Sequence, residues 1–154
     1  MSITLEQYES LNPKCELEID GKKLTFATPS SFTRWRVESI FTKEPWTIEW
    51  LNELTNEDLL LDVGANVGMY TIWAAAIRNC QVIALEPESM NYSILNKNIM
   101  QNKLDKLVKA YSIGLSNLNE FCVLNMQDLR VGGSNHSAGE ALNFNLEPMP
   151  TNFR

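Results

Sequence analysis

Along the first part of the chain, apolar and polar positions alternate in short bursts. Glu16-Leu17-Glu18-Ile19 and Lys22-Lys23-Leu24-Thr25-Phe26 flank Asp20-Gly21, a pair tolerant of positive φ, so the spacing predicts a β-hairpin closed by a tight turn. Thr33-Arg34-Trp35-Arg36 follows, and then Lys43-Glu44-Pro45-Trp46-Thr47-Ile48-Glu49-Trp50-Leu51. Here a proline near the first turn with Ile48, Leu51 and Leu54 behind it predicts a short helix. The period then changes. Leu59-Leu60-Leu61-Asp62-Val63 is a continuous apolar run closed by Gly64, the signature of a strand buried on both faces. Met69, Ile72, Trp73 and Ala76 fall on one stripe of a helix. Gln81-Val82-Ile83-Ala84-Leu85 reads as a second buried strand, stopped at Glu86-Pro87 because proline lacks a ladder donor. A helix opens at Ser89 or a neighbour with Tyr92, Leu95 and Ile99 inward, and Leu107 to Tyr111 forms a third strand.

Strand, helix, strand, helix, strand in about 60 residues is the half-unit of a doubly wound α/β fold with a parallel sheet and right-handed crossovers. The chain therefore divides into an amino-terminal hairpin and helix extension, residues 1–57, and a sheet portion, residues 58–154. Beyond Glu120 the pattern thins. Phe121-Cys122-Val123-Leu124 is one more strand candidate, a Gly/Ser-rich stretch runs from Gly132 to Gly139, and Asn143 to Arg154 has two prolines and no clear period. A complete open sheet of this kind places further strands on the far side of the first one. The expectation is an incomplete sheet whose first strand, Leu59 to Val63, keeps an unpaired apolar edge.

Composition narrows the partners. With 13 Lys+Arg against 19 Asp+Glu, the net charge of −6 provides no broad basic face for a phosphate backbone, which argues against duplex DNA or long RNA. Cys15, Cys80 and Cys122 are odd in number and form no Cys-x-x-Cys pair, so neither a disulfide framework nor a zinc site is expected. No basic leader with an apolar core opens the chain, and no apolar run approaches the roughly 18 residues of a membrane span. These features predict a soluble protein of the reducing cytoplasm.

Asp62-Val63-Gly64-Ala65-Asn66-Val67-Gly68 lies where a parallel strand hands over to a helix, the place where open α/β sheets bind ligands. Gly64 suits a tight turn with a ligand lying on bare backbone, and Gly68 lets the helix begin close by with its free N–H groups and positive dipole end. An anionic group is favoured there. Asp62, at the strand tip, would repel a pyrophosphate and hold an ammonium. Glu86, at the tip of the next strand, is placed to accept hydrogen bonds from ribose hydroxyls. An amino-acid end and a ribose describe S-adenosylmethionine better than NAD. The dinucleotide fingerprint Gly-x-Gly-x-x-Gly also fails, since Asn66 stands in its second glycine position and Met69 in its third.

Four words in order, Lys43-Glu44-Pro45-Trp46-Thr47-Ile48-Glu49-Trp50, Asp62-Val63-Gly64-Ala65-Asn66-Val67-Gly68-Met69-Tyr70, Ala84-Leu85-Glu86-Pro87-Glu88 and Gly114-Leu115-Ser116-Asn117, carry a resemblance. The region from about Arg34 to Ser116 resembles the amino-terminal part of an FkbM-type S-adenosylmethionine-dependent methyltransferase. The resemblance implies a Rossmann-like class I methyltransferase sheet, with Asp62, Gly64, Asn66 and Gly68, and Ala65 within the same loop, at the methionine and sulfonium end of the cofactor and Glu86 on its ribose. It implies O-methylation of a sugar or another small hydroxyl-bearing metabolite. Family members continue into an Asp-Val-Glu-Gly-like strand and the rest of the sheet, which this sequence lacks. The expectation is a truncated chain, either half of a methyltransferase or a fragment that binds cofactor without catalysis.

No catalytic base is assigned. His136, within Gly132-Gly133-Ser134-Asn135-His136-Ser137, reads as a solvated histidine on a flexible stretch able to cover the pocket, and Asp128 is a weaker candidate. Trp35 between Arg34 and Arg36 suits stacking on a base or clamping an acidic substrate, but reads first as a packing aromatic flanked by solvated charges; Trp46 and Trp50, one turn apart, suit stacking on a sugar, but read first as core or interdomain packing.

Overall fold

A computed structural model describes residues 2–143 and 145–148. The hairpin forms as expected: β1 (Lys14–Ile19) pairs antiparallel with β2 (Lys22–Ala27), with Ile19 opposite Lys22. Asp20 and Gly21 take φ of 50° and 73°, the pair of positive values a two-residue turn of this hand requires. Two helices not anticipated from periodicity flank it. α1 (Leu5–Ser10) and α2 (Ser31–Glu38) each open on a reciprocal cap, Thr4 with Gln7 and Ser30 with Thr33. α3 (Pro45–Glu53) carries Pro45 in its first turn and buries Ile48 and Leu51.

The sheet portion follows the expected alternation: β3 (Leu59–Val63), α4 (Met69–Arg78), β4 (Gln81–Leu85), α5 (Ser89–Gln101) and β5 (Val108–Tyr111). The strands are parallel in the order β3-β4-β5, with Leu60 beside Val82 and Val82 beside Val108. This is an α/β fold with a parallel sheet. Leu60, Val82, Ala84 and Val108 are buried in one core with Ile72, Trp73 and Leu95 of the helices. Ile19, Leu24 and Phe26 of the hairpin enter that same core, so among the described residues the hairpin extension and the sheet portion are packed together. Side chains at the carboxyl end of α5 make part of the join, buried Asn98 within the helix and half-buried Asn102 as its cap. Asn98 accepts from the Ala27 N–H at 2.8 Å and donates to the Val67 carbonyl at 2.7 Å, while Asn102 and Gln101 bond the backbone of Thr25. The inward stripe of α5 is as expected, with Leu95 and Ile99 buried and the Tyr92 hydroxyl donating to the Ala110 carbonyl.

Three expectations need correction. β3 is not buried on both faces: Leu59, Leu61 and Val63 are 60%, 51% and 50% exposed. A continuous apolar run reports that both faces want cover, and here the helices cover only the face of Leu60. β3 is also an edge strand, paired among the described residues with β4 alone, which matches the expected unpaired apolar edge. Next, Phe121 to Leu124 is not a strand. Only Leu124 and Asn125 pair, as β6 (Leu124–Asn125) with β7 (Ser137–Ala138), and Phe121 stands free in solvent, since an apolar run without a ladder partner has no reason to extend. Finally, Trp46 and Trp50 are exposed, 67% and 51%, because Ile48 and Leu51 claim the inner face of α3 and the one-turn spacing of the tryptophans points them away together. No described helix is long and apolar enough to cross a membrane. The expected irregular tail, residues 143–154, lies mostly outside the described residues.

Candidate functional site

The strand-to-helix loop after β3 is held from below by the neighbouring strand. Gly64, at φ 77°, and Ala65 both donate their N–H to the Leu85 carbonyl, at 2.9 and 3.0 Å. Asn66 donates its backbone N–H to Oε2 of Glu86 at 2.7 Å, and Oε1 of Glu86 accepts from the N–H of Glu88 at 2.9 Å. The tips of β3 and β4 are thereby locked through one carboxylate. Glu86 is 4% exposed. Burial raises its pKa, against the two backbone bonds, which lower it. Glu88 caps α5 by accepting from the N–H groups of Met90 and Asn91.

Asp62 accepts a short hydrogen bond from the Thr71 hydroxyl on α4, and burial pushes its carboxyl above the usual range. Gly68 takes φ 86°, and a Cβ there would stand 2.5 Å from Cδ1 of Leu95. Its lack of a side chain brings α4 against α5.

Two cavities lie on either side of this loop and share Gly64, Asn66, Ser134 and Asn135 in their walls. The first, about 300 Å³, contains Asp62, Ala65, Arg36, Glu44 and Tyr70. The second, about 320 Å³, contains Glu86, Pro87, Ile113 and His136. Of the six residues singled out from sequence, Asp62, Gly64, Ala65, Asn66 and Glu86 are thus brought to one bipartite cleft. Gly68 faces neither cavity and lies behind the loop.

The roof is the Gly/Ser-rich stretch, and it is tied down. The Ser30 hydroxyl donates to the Val131 carbonyl, Arg36 Nε to the Gly132 carbonyl and Asn66 Nδ2 to the Gly133 carbonyl, at 2.6, 2.7 and 2.6 Å. Asn91, fully buried on α5, clamps the same strap from both sides, accepting from the Gly132 N–H and donating to the Gly133 carbonyl. Gly132, at φ 88°, leaves room for Thr33, whose backbone nitrogen and methyl would each lie about 3 Å from a Cβ. His136 is therefore not a solvated histidine: it lines the second cavity, and its Nδ1 is buried with no hydrogen-bond partner among the described residues. Asp128 is turned instead to Arg130, whose guanidinium pulls its pKa down to about 2.

Arg36 also departs from expectation, since Arg34 pairs with exposed Glu38 while Arg36 is half-buried beneath the strap. Glu44 and Tyr70, which the sequence left without a role, meet in the first cavity, where the Tyr70 hydroxyl donates to Glu44 at 2.7 Å. That bond, ahead of the Lys43 ion pair, holds the Glu44 carboxyl below its usual range.

No family model and no curated protein matches the sequence. Solved structures do match in part. P. horikoshii TYW2, in complex with MeSAdo, is 18% identical, with 68% of this chain and 37% of that chain covered and a TM-score of 0.48. A geranyl diphosphate methyltransferase in complex with GPP and sinefungin is 19% identical, with 51% and 29% covered and a TM-score of 0.44. The N-terminal domain of human METTL16 in complex with SAH is 19% identical, with 55% and 36% covered and a TM-score of 0.40. This chain spans about a third of the length of each of these proteins.

Proposed function

We propose that this chain is the cofactor-binding half of an S-adenosylmethionine-dependent methyltransferase of the FkbM type, methylating a hydroxyl of a sugar or another small metabolite in the cytoplasm. One observation carries it: two carboxylates, Asp62 and Glu86, stand at adjacent strand tips in two adjoining cavities, with the bare backbone of Gly64 between them. The spacing suits a molecule with an ammonium at one end and a ribose at the other. The residues fit that group. Each oxygen of Glu86 spends one lone pair on a backbone N–H and keeps another for a ribose hydroxyl. A Cβ on Gly64 would meet nothing within 4 Å, so the loop leaves open space where the ligand's middle would lie.

When bound, the cofactor supplies an electrophilic methyl on a sulfonium. The protein's part would be to hold donor and acceptor together at near-attack distance. Asp62, locked by Thr71, would hold the amino-acid end, and Glu86, locked by Asn66 and Glu88, would hold the sugar. The strap contributes Ser134 and Asn135 to the walls of both cavities. A net charge of −6 favours a small acceptor over RNA.

Calorimetric titration of S-adenosylhomocysteine into the purified chain tests this, with Asp62→Ala, Glu86→Gln and NAD as controls. Saturable binding that both substitutions abolish, and no response to NAD, is the expected result. A folded chain that binds NAD, or binds neither compound, would overturn the proposal.

A further inference from the structure

Every backbone N–H of the 64–68 loop already has an acceptor inside the protein. Gly64 and Ala65 donate to the Leu85 carbonyl, Asn66 to Glu86, Val67 to the Asn66 side chain and Gly68 to the Ala65 carbonyl. The loop itself therefore offers no free amide hydrogen to an anion, which leaves the first turn of α4 and the side chains of the first cavity to meet one. An oxyanion in the first cavity that lies beyond the first turn of α4 needs a side-chain partner, or it will be buried without one.

Arg36 is placed to meet it. Of its guanidinium, only Nε is engaged, on the Gly132 carbonyl, and no hydrogen bond of its terminal nitrogens is made among the described residues. Nor does any described carboxylate pair with it. Glu44, in the same cavity wall, is committed to Lys43 and Tyr70. Burial is the main influence on this guanidinium, drawing its pKa below the ordinary arginine value. A desolvated cation without an acidic partner is costly to keep, and a guanidinium with its terminal fork free matches a carboxylate or phosphate in two parallel hydrogen bonds.

We propose that Arg36 is the oxyanion receptor of the first cavity and takes the carboxylate at the amino-acid end of the cofactor. This rests on the S-adenosylmethionine assignment, with Asp62 in the same cavity for the ammonium. The same chemistry has one other source, a carboxylate or phosphate borne by the methyl acceptor.

The test compares wild type with Arg36→Gln by calorimetry, using S-adenosylhomocysteine, methylthioadenosine, which has the nucleoside without the amino acid, and inorganic phosphate added to the S-adenosylhomocysteine-saturated protein. The expected result is roughly 10- to 100-fold weaker binding of S-adenosylhomocysteine by the variant, the range of a charge-assisted hydrogen bond, with methylthioadenosine unchanged. Unchanged nucleoside ligands with loss of phosphate binding would support the same receptor and assign its anion to the acceptor. Equal weakening of both nucleoside ligands would overturn the proposal, since it would mean that Arg36 acts by holding the strap over both cavities. So would a folded variant in which all three titrations match wild type. If wild type binds neither nucleoside, the cofactor assignment fails by itself, and the phosphate titration without nucleoside still decides whether Arg36 receives an anion.

Discussion

Gly64 and Gly68 sit four residues apart in one loop with nearly the same left-handed backbone, φ 77° and 86°, yet a Cβ meets empty space at the first and a methyl at the second. Alanine at either position incurs the left-handed penalty of an L-residue, about 1 kcal/mol. At Gly64 nothing is added to it. At Gly68 the new carbon would lie 2.5 Å from Cδ1 of Leu95, and Leu95 is wholly buried, so its methyl cannot swing into solvent. Overpacking of this kind adds roughly 1–3 kcal/mol. Gly68→Ala is therefore expected to cost about 2–4 kcal/mol and Gly64→Ala about 1. Urea unfolding followed by circular dichroism separates them: with a slope near 2 kcal/mol/M, the midpoints should fall by about 1–2 M and about 0.5 M. Leu95→Ala removes the obstructing methyl, so in that background the cost of Gly68→Ala should drop to about 1 kcal/mol, a coupling read from the double-mutant cycle. Equal costs for the two glycines, or a Gly68→Ala cost indifferent to Leu95, would refute the steric assignment.

Other outcomes follow from the same geometry. Because burial raises the Asp62 pKa above its ordinary 3.8, the native state holds that proton more tightly than the unfolded chain, so stability declines as pH rises above that value. Asp62→Asn, which can still accept from Thr71, should melt above wild type at pH 7, with the gap closing toward pH 4, measured by thermal unfolding across pH. Asn98→Ala strands the Ala27 N–H and the Val67 carbonyl in the core and should cost about 2–5 kcal/mol in urea unfolding. Asn91→Ala releases Gly132 and Gly133, and tryptic cleavage after Arg130 should accelerate while the core fragments persist. Trp50→Ala, on the outward face of α3, should change stability by no more than about 0.5 kcal/mol.

The parallel βαβαβ unit was readable because each element declares its own period: Met69, Ile72, Trp73 and Ala76 can form one stripe only on a helix. α1 escaped because it buries nothing, leaving no stripe, although its Thr4–Gln7 cap is a local signal. The Leu59 run was misjudged since apolar content records a demand for cover and cannot say whether cover arrives. At the cleft, Asp62, Gly64 and Glu86 were visible because strand tips and glycine turns are written in adjacent residues. The bonds that Arg36 and Asn91 make to the strap are not legible there, because they join residues 96 and 42 positions apart. In sequence Arg36 looks like the twin of Arg34, yet a two-residue step on a helix turns one side chain out and the other in.

The outer edge of the hairpin is closed by side-chain amides rather than by a third strand. Thr25 and Ala27 donate their outward N–H groups to Asn102, which caps the end of α5, and to Asn98 within it. These amide hydrogens should exchange with solvent deuterium only when α5 lifts away, so the hairpin and α5, more than 70 residues apart in sequence, would open and close as one cooperative unit. The amino-terminal segment then becomes part of what holds α5, and with it Glu88 and Asn91, in register with the roof of the cleft.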